Sequence, residues 1–193
     1  MKVRRRLLIG SLLVSAVASV AIGLVIARSS DDSSDLDAEI TRDDTVLRPP
    51  GLGTNAVLEG DRLPEVTVQN LAGDAVSTID LEGQPLVINI WGSTCAPCKE
   101  ELPAFAEAHR QFGDTVRFVG ISYLPPSDNE EQFARDRGVQ YELLYDADGE
   151  FVTDVGIAAF PVTLFVAADG TIVQQTGRLA LEGLTAAIED HLL

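Results

Sequence analysis

A chain of 193 residues has room for one ordinary domain with appendages, and 30 acids against 14 bases leave it at a net charge of −16. That balance argues against nucleic acid as a partner, because phosphate binding needs clustered Lys and Arg. The only two cysteines lie three positions apart; a bridge that short removes little entropy from the unfolded chain, which argues against a disulfide-stapled scaffold.

Residues 1–28 carry Lys2, Arg4, Arg5, Arg6 and Arg28 and no acid, so the rest of the chain stands at −21. From Leu7 to Ala27 run 21 uncharged residues, enough for the ~20 a helix needs to cross a bilayer. Basic residues before this run and acids after it predict a signal anchor, a single transmembrane helix with its amino end in the cytoplasm. The rest of the chain then lies on the extracytoplasmic face of the cell membrane. A cleaved signal peptide is the alternative, with Ala16-Val17-Ala18 as a small-x-small site, but the apolar run continues nine residues past Ala18, which a cleavable segment does not need. Residues 29–61, with Asp31, Asp32, Asp35, Asp37, Glu39, Asp43, Asp44 and then Pro49-Pro50-Gly51, read as an acidic flexible linker. As a coil it gives the domain a reach of about 30 Å.

The pattern becomes globular over residues 62–193. Glu65 to Val68 alternates like a strand, and Ala72-Gly73-Asp74 turns it back into Val76 to Ile79 as a hairpin. Pro85 to Trp91 is a nearly continuous apolar run, as in a buried central strand. Ala96 to Phe112 follows as a helix with Leu102, Phe105, Ala106 and His109 on one face. Val116 to Ser122 is a second apolar strand, and a parallel crossover joins it to the first. Ser127-Asp128-Asn129-Glu130 reads as a capping box opening a helix that ends near Gly138. Leu143 to Tyr145, a turn at Asp146 to Gly149 and a short helix before Gly156 come next. Val162 to Ala167 and Thr171 to Gln175 form a hairpin, and Leu181 to Leu193 closes the chain as a helix with Leu184, Ala187, Ile188 and Leu192 inward. The order is α/β, a central mixed sheet with helices on both faces.

Cys95-Ala96-Pro97-Cys98 thus falls at a strand-to-helix junction. A thiolate, not a thiol, attacks a disulfide, and a helix amino terminus favours the anion through its free N–H groups and dipole. Cys95 at that end reads as the nucleophile and Cys98, one turn in on the same face, as the resolving thiol. Pro97 suits the first turn, where its missing N–H costs nothing. A structural zinc site would need two further ligands, and only His109 and His191 are on offer. Both read as packing or surface residues, and no metal or cofactor is expected. Phe160-Pro161 precedes a strand, a position where a proline removes no ladder donor.

With these blocks the chain resembles the thioredoxin superfamily, most closely the membrane-anchored TlpA/ResA/CcmG (DsbE) group with its redoxin domain of AhpC/TSA type. Carrying the resemblance are Leu86 to Pro103 around the cysteines, Tyr145 to Gly149, and Gly156 to Val166 with Asp169-Gly170. It implies a thioredoxin-like fold with an N-terminal β-hairpin and a helix-strand insertion over Asp128 to Leu144. It also implies a cis Phe160-Pro161 bond beside the sulfurs. Trp91, Thr94, Phe160 and Pro161 would then be the substrate-binding surround of Cys95 and Cys98, with Ala96 and Pro97 completing the motif. The activity implied is reduction of disulfides in exported proteins, apocytochrome c among them, with electrons from a membrane thiol donor of CcdA or DsbD kind. Thr94 departs from the aromatic residue usual before the first cysteine, and Asn89 replaces the buried acid of cytosolic thioredoxins. Two other readings stay open. One is an oxidant that installs disulfides. The other is a copper-delivery module, although such modules generally have three residues between the cysteines and a distant His. A peroxidase of this fold would need Thr where Gly92 stands.

Overall fold

The computed structural model describes residues 54–193. The expected anchor at 1–28 and most of the expected linker lie outside the described residues, among which no helix is long and apolar enough to cross a membrane. In chain order the elements are β1 (Thr67–Gln69), β2 (Ala75–Ser77), a 3-10 turn (Thr78–Leu81), β3 (Leu86–Trp91) and α1 (Ala96–Phe112). They continue with β4 (Arg117–Ser122), α2 (Asp128–Arg135), β5 (Glu142–Tyr145), α3 (Glu150–Asp154), β6 (Val162–Val166), β7 (Ile172–Thr176) and α4 (Leu181–His191).

Seven strands form one mixed sheet in the order β2-β1-β5-β4-β3-β6-β7. β3, β4 and β5 run parallel, and β6 lies antiparallel against β3 with Ile90 opposite Val162. All six residues of β3 are buried, as a central strand covered on both faces requires. β1 and β2 make the expected hairpin, but the second strand is shorter than its apolar pattern implies. Ser77 caps the 3-10 turn instead, accepting from the Ile79 N–H, and Ile79 is left exposed. α2 and β5 form the helix-strand insertion, with β5 added parallel to β4.

Two core clusters lie on opposite faces of the sheet because alternate residues of a strand point opposite ways. Ile88 and Ile90 belong to one, with Ile121, Leu164, Phe151 and Val155. Val87 and Trp91 belong to the other, with Cys98, Leu102, Phe105, Phe118 and Leu184. The expected cover of helices on both faces is therefore lopsided. Residues of α1, α2 and α4 pack on the second face, while the first is closed by short α3 and the N-terminal segment. That segment also moves the domain boundary. Residues 54–61, assigned to the linker by composition, are part of the fold: Leu58 is buried, the Ala56 N–H donates to the Gly156 carbonyl and the Gly60 N–H to the Ile172 carbonyl. Composition misses this because the segment is held by pairing to residues about a hundred positions away.

Candidate active site

The chain leaves β3 at Trp91, crosses Gly92-Ser93-Thr94 and enters α1 with Cys95 as its N-cap in extended conformation. Cys95 and Cys98 are joined as a disulfide with their Cα atoms 5.3 Å apart. The Cys98 N–H donates to Cys95 Sγ at 3.2 Å, so a free donor of the first turn is aimed at the outer sulfur. Cys95 retains 9% of its surface and Cys98 none; a partner approaching from solvent meets Cys95 first.

One turn beyond Cys98, on the same helix face, Glu101 is 2% exposed. Residues three apart on a helix have Cβ atoms about 5–6 Å from one another, which sets this carboxyl behind the inner sulfur. The Asn89 amide donates to Glu101 Oε1 at 2.8 Å and the Leu179 N–H to Oε2 at 3.3 Å. Burial pushes the carboxyl up to about 7, against the hydrogen bonds from Asn89 and Leu179 and the charge of Arg178, which pull it down. A group that changes charge near neutral pH beside a thiol pair has the right affinity to exchange protons with it. The sequence shows Asn89 where cytosolic thioredoxins carry a buried acid, and it named no other acid for the site. The strand holds instead the amide that binds the acid, and the acid sits on the helix. A carboxylate in line with Leu102 and Phe105 on an inward stripe was the signal available for it.

A second buried carboxylate fixes the loop before the cysteines. Glu130 of α2 accepts at Oε1 from the Ser93 N–H and from the Ser122 hydroxyl, both at 2.8 Å. Only half of the expected capping box forms. Ser127 Oγ accepts from the Glu130 N–H, but the Glu130 side chain turns inward and ties the insertion to the active-site loop.

Around Cys95 the expected surround is partly assembled. Thr94 is exposed and its hydroxyl lies 2.8 Å from that of Tyr123. The Tyr123 ring packs tilted against Phe160 with centroids 4.2 Å apart, and the Phe160-Pro161 bond is cis. The register Ile90↔Val162 sets Pro161 level with Trp91, at the end of the sheet where the cysteine loop departs. Ala96 and Pro97 occupy the first turn of α1, exposed and half-buried. Trp91 requires correction: it is fully buried and stacked on Phe133, so it supports the loop from below and offers no surface to a substrate. Tyr123 was missed; it brings from the bend just after β4 the aromatic ring that Thr94 lacks. His109 packs edge-on against Phe118 and Tyr141, where burial lowers its basicity, and His191 lies exposed in the last turn of α4.

A thioredoxin-like α/β domain with a Cys-x-x-Cys pair at the tip of the first crossover helix is the arrangement of a thiol-disulfide oxidoreductase. The AhpC/TSA family profile matches residues 59–175, and the chain belongs to that family. It is similar to the thiol-disulfide oxidoreductase ResA of Bacillus subtilis, 24% identical over 131 residues that span 67% of this chain and 73% of the relative. It is also similar to the thiol:disulfide interchange protein DsbE of Vibrio cholerae, 30% identical over 120 residues, 61% of this chain and 64% of the relative. Among solved structures, a DsbF homologue from Corynebacterium diphtheriae superposes with a TM-score of 0.60 at 26% identity, covering 74% of this chain and 95% of its own. The chain is a thiol-disulfide oxidoreductase of the ResA/DsbE type, with Cys95 and Cys98 as its pair.

Proposed function

We propose that the enzyme works as a reductase outside the cytoplasm, tethered to the cell membrane by residues 1–28. Its substrates are disulfides of exported proteins, apocytochrome c among them, and its electrons come from a membrane thiol donor of the CcdA/DsbD type. The anchor reading rests on the basic start and the 21 uncharged residues after it, and the direction on the resemblance to ResA and DsbE. In this scheme the reduced enzyme presents the Cys95 thiolate, whose electron pair attacks one sulfur of the substrate disulfide. A mixed disulfide forms and the first substrate thiolate leaves. Cys98 then gives its proton to the Glu101 carboxylate, and its thiolate attacks Cys95 Sγ. The second substrate sulfur departs with the bonding pair and takes a proton from water, leaving the Cys95–Cys98 disulfide to be reduced by the donor. The observation that carries this reading is the order in depth: a cysteine at the helix tip that keeps a little of its surface, a fully buried one behind it, and a buried carboxyl one turn further.

Reduction of insulin or apocytochrome disulfides by the full chain tests the scheme. Cys95→Ser abolishes it, and retained activity refutes the assignment. Cys98→Ser stalls at the mixed disulfide, which captures the partner and identifies it. The direction is read from the reduction potential of the pair: a value near ~−120 mV is that of an oxidant and overturns the reductase reading. Protection of the domain from protease added to intact cells stripped of their outer layers overturns the location.

A further inference from the structure

In the proposed reaction Glu101 takes a proton from Cys98 while the Cys95 face is covered by bound substrate. The two carboxylate oxygens face different ways. Oε1 is held inside the sheet by Asn89, whereas Oε2 accepts from Leu179, and Glu101 and Leu179 both line a cleft of about 510 Å³. Glu100, Glu101 and Ala104 of α1 wall one side, and Arg178, Leu179 and Leu181 the other. Neither cysteine, nor Thr94, Tyr123, Phe160 or Pro161, lines it. The buried acid thus lies in the wall of a cleft separate from the surface where substrate docks. Arg178 is exposed and ion-paired with Glu100 in the cleft wall.

We propose that this cleft is a proton port, through which Glu101 exchanges its proton with water while a protein substrate occupies the Cys95 face, and that Arg178 is the positioning residue whose charge keeps Glu101 able to ionise there. The inference rests on the role given to Glu101 in the proposed reaction. The balance is simple: Cys98 thiol and Glu101 carboxylate become thiolate and carboxylic acid, and the acid then loses H⁺ to water in the cleft as the carboxylate is restored. Among the described residues the charged and titratable neighbours are few. Arg178 comes from the β7–α4 connection and Glu100 from Glu101's own helix. On the strand side stands Tyr141, whose ionisation burial and the charge of Glu101 both oppose. β3 contributes the Asn89 amide, and α4 lines the cleft with Leu181. Among the described residues, Arg178 is therefore the cation acting on the acid.

The test is the pH profile of disulfide reduction by the full chain between pH 5 and 9, with a saturating protein substrate. Arg178→Gln moves the acidic limb to higher pH. At pH 6 the rate falls about two- to fivefold, the range of an exposed charge interaction, while the rate at pH 9 stays unchanged. Arg178→Lys keeps the wild-type profile. Ala104→Phe, which narrows the cleft, lowers kcat without raising KM; Arg178→Gln, at an exposed position, tests the same port should that variant fail to fold. Glu101→Gln separates the two levels of the argument. If it leaves the limb in place, the proton-acceptor role of Glu101 is wrong. If it removes the limb while Arg178→Gln and Ala104→Phe behave as wild type, the acid stands and the port is overturned. Equal slowing at every pH in both Arg178 variants overturns the part given to its charge.

Discussion

Ile88 and Asn89 are neighbours on β3, both buried, and they face two differently built cores. Ile88 and Ile90 look into a cluster of aliphatic side chains and Phe151. The buried polar side chains at its border serve local backbone: Thr78 binds Val66 and Pro64, and Asp146 caps α3 through the Phe151 and Val152 N–H groups. Behind the disulfide, by contrast, lie Asn89, Glu101, Ser122, Glu130 and Thr163, all buried, and two of the five are carboxyls. Buried polar groups destabilise a fold unless they are paired, and even then return little. Their concentration on the cysteine face is what a sheet looks like when one side supplies stability and the other places protons and a loop.

That division is open to direct attack. The largest effect belongs to the apolar face. Ile88→Ala leaves a cavity among fully buried neighbours and costs ~2–5 kcal/mol, measured by equilibrium urea unfolding of the oxidised protein. The reduction potential of the Cys95–Cys98 pair stays where it was; a shift there dissolves the separation of faces. Glu101 gives the opposite pattern. Burial pushes its carboxyl from the ordinary 4.5 up to about 7 in the folded protein, so between those limits the folded state keeps a proton that the unfolded state has released. The sign follows: this contribution is fully present below about pH 4.5 and is lost as pH rises through about 7, a fall of roughly 2–4 kcal/mol. Glu101→Gln flattens that slope in urea midpoints taken from pH 4 to 8, while it removes the proton acceptor. A slope that survives the substitution assigns the titration to another group.

Next in size is Glu130→Ala, which strands the Ser93 N–H and the Ser122 hydroxyl and costs ~1–3 kcal/mol; Glu130→Gln, which keeps an acceptor, costs less. Thermal unfolding ranks the two, and an Ala variant as stable as wild type removes Glu130 from the loop's support. This residue also marks the limit of what the sequence discloses. The Ser-x-x-Glu spacing located α2 and its cap correctly, because capping is local. It gave no hint that the side chain would cross to Ser93, 37 positions earlier. Periodicity likewise found β3, α1, β4, the closing hairpin and α4, and the helix-tip position of the cysteines came from that pattern alone. Non-local contacts account for what was not legible. Residues 54–61 joined the fold through partners on β7 and at Gly156, Trp91 turned into the core under its loop, and Tyr123 reached Thr94 from the loop after another strand.

The smallest effect concerns that last contact, at the rim where the polar face meets solvent. Tyr123 packs against Phe160 and meets Thr94 through its hydroxyl, so it completes the surface beside Cys95 that the small residue at 94 leaves open. Tyr123→Ala removes the aromatic pair, worth ~0.5–1.5 kcal/mol, and is expected to raise KM for a peptide disulfide while the rate of thiol alkylation at Cys95 stays the same. Tyr123→Phe keeps the ring and separates ring packing from the hydroxyl contact. Gly92 supplies an independent route to the same end: a Cβ there would lie 2.6 Å from Tyr123 Cζ, so Gly92→Ala must push the ring aside. If the ring is the docking element, Gly92→Ala and Tyr123→Ala raise KM together and their effects do not add, whereas additive effects assign the two residues to separate tasks.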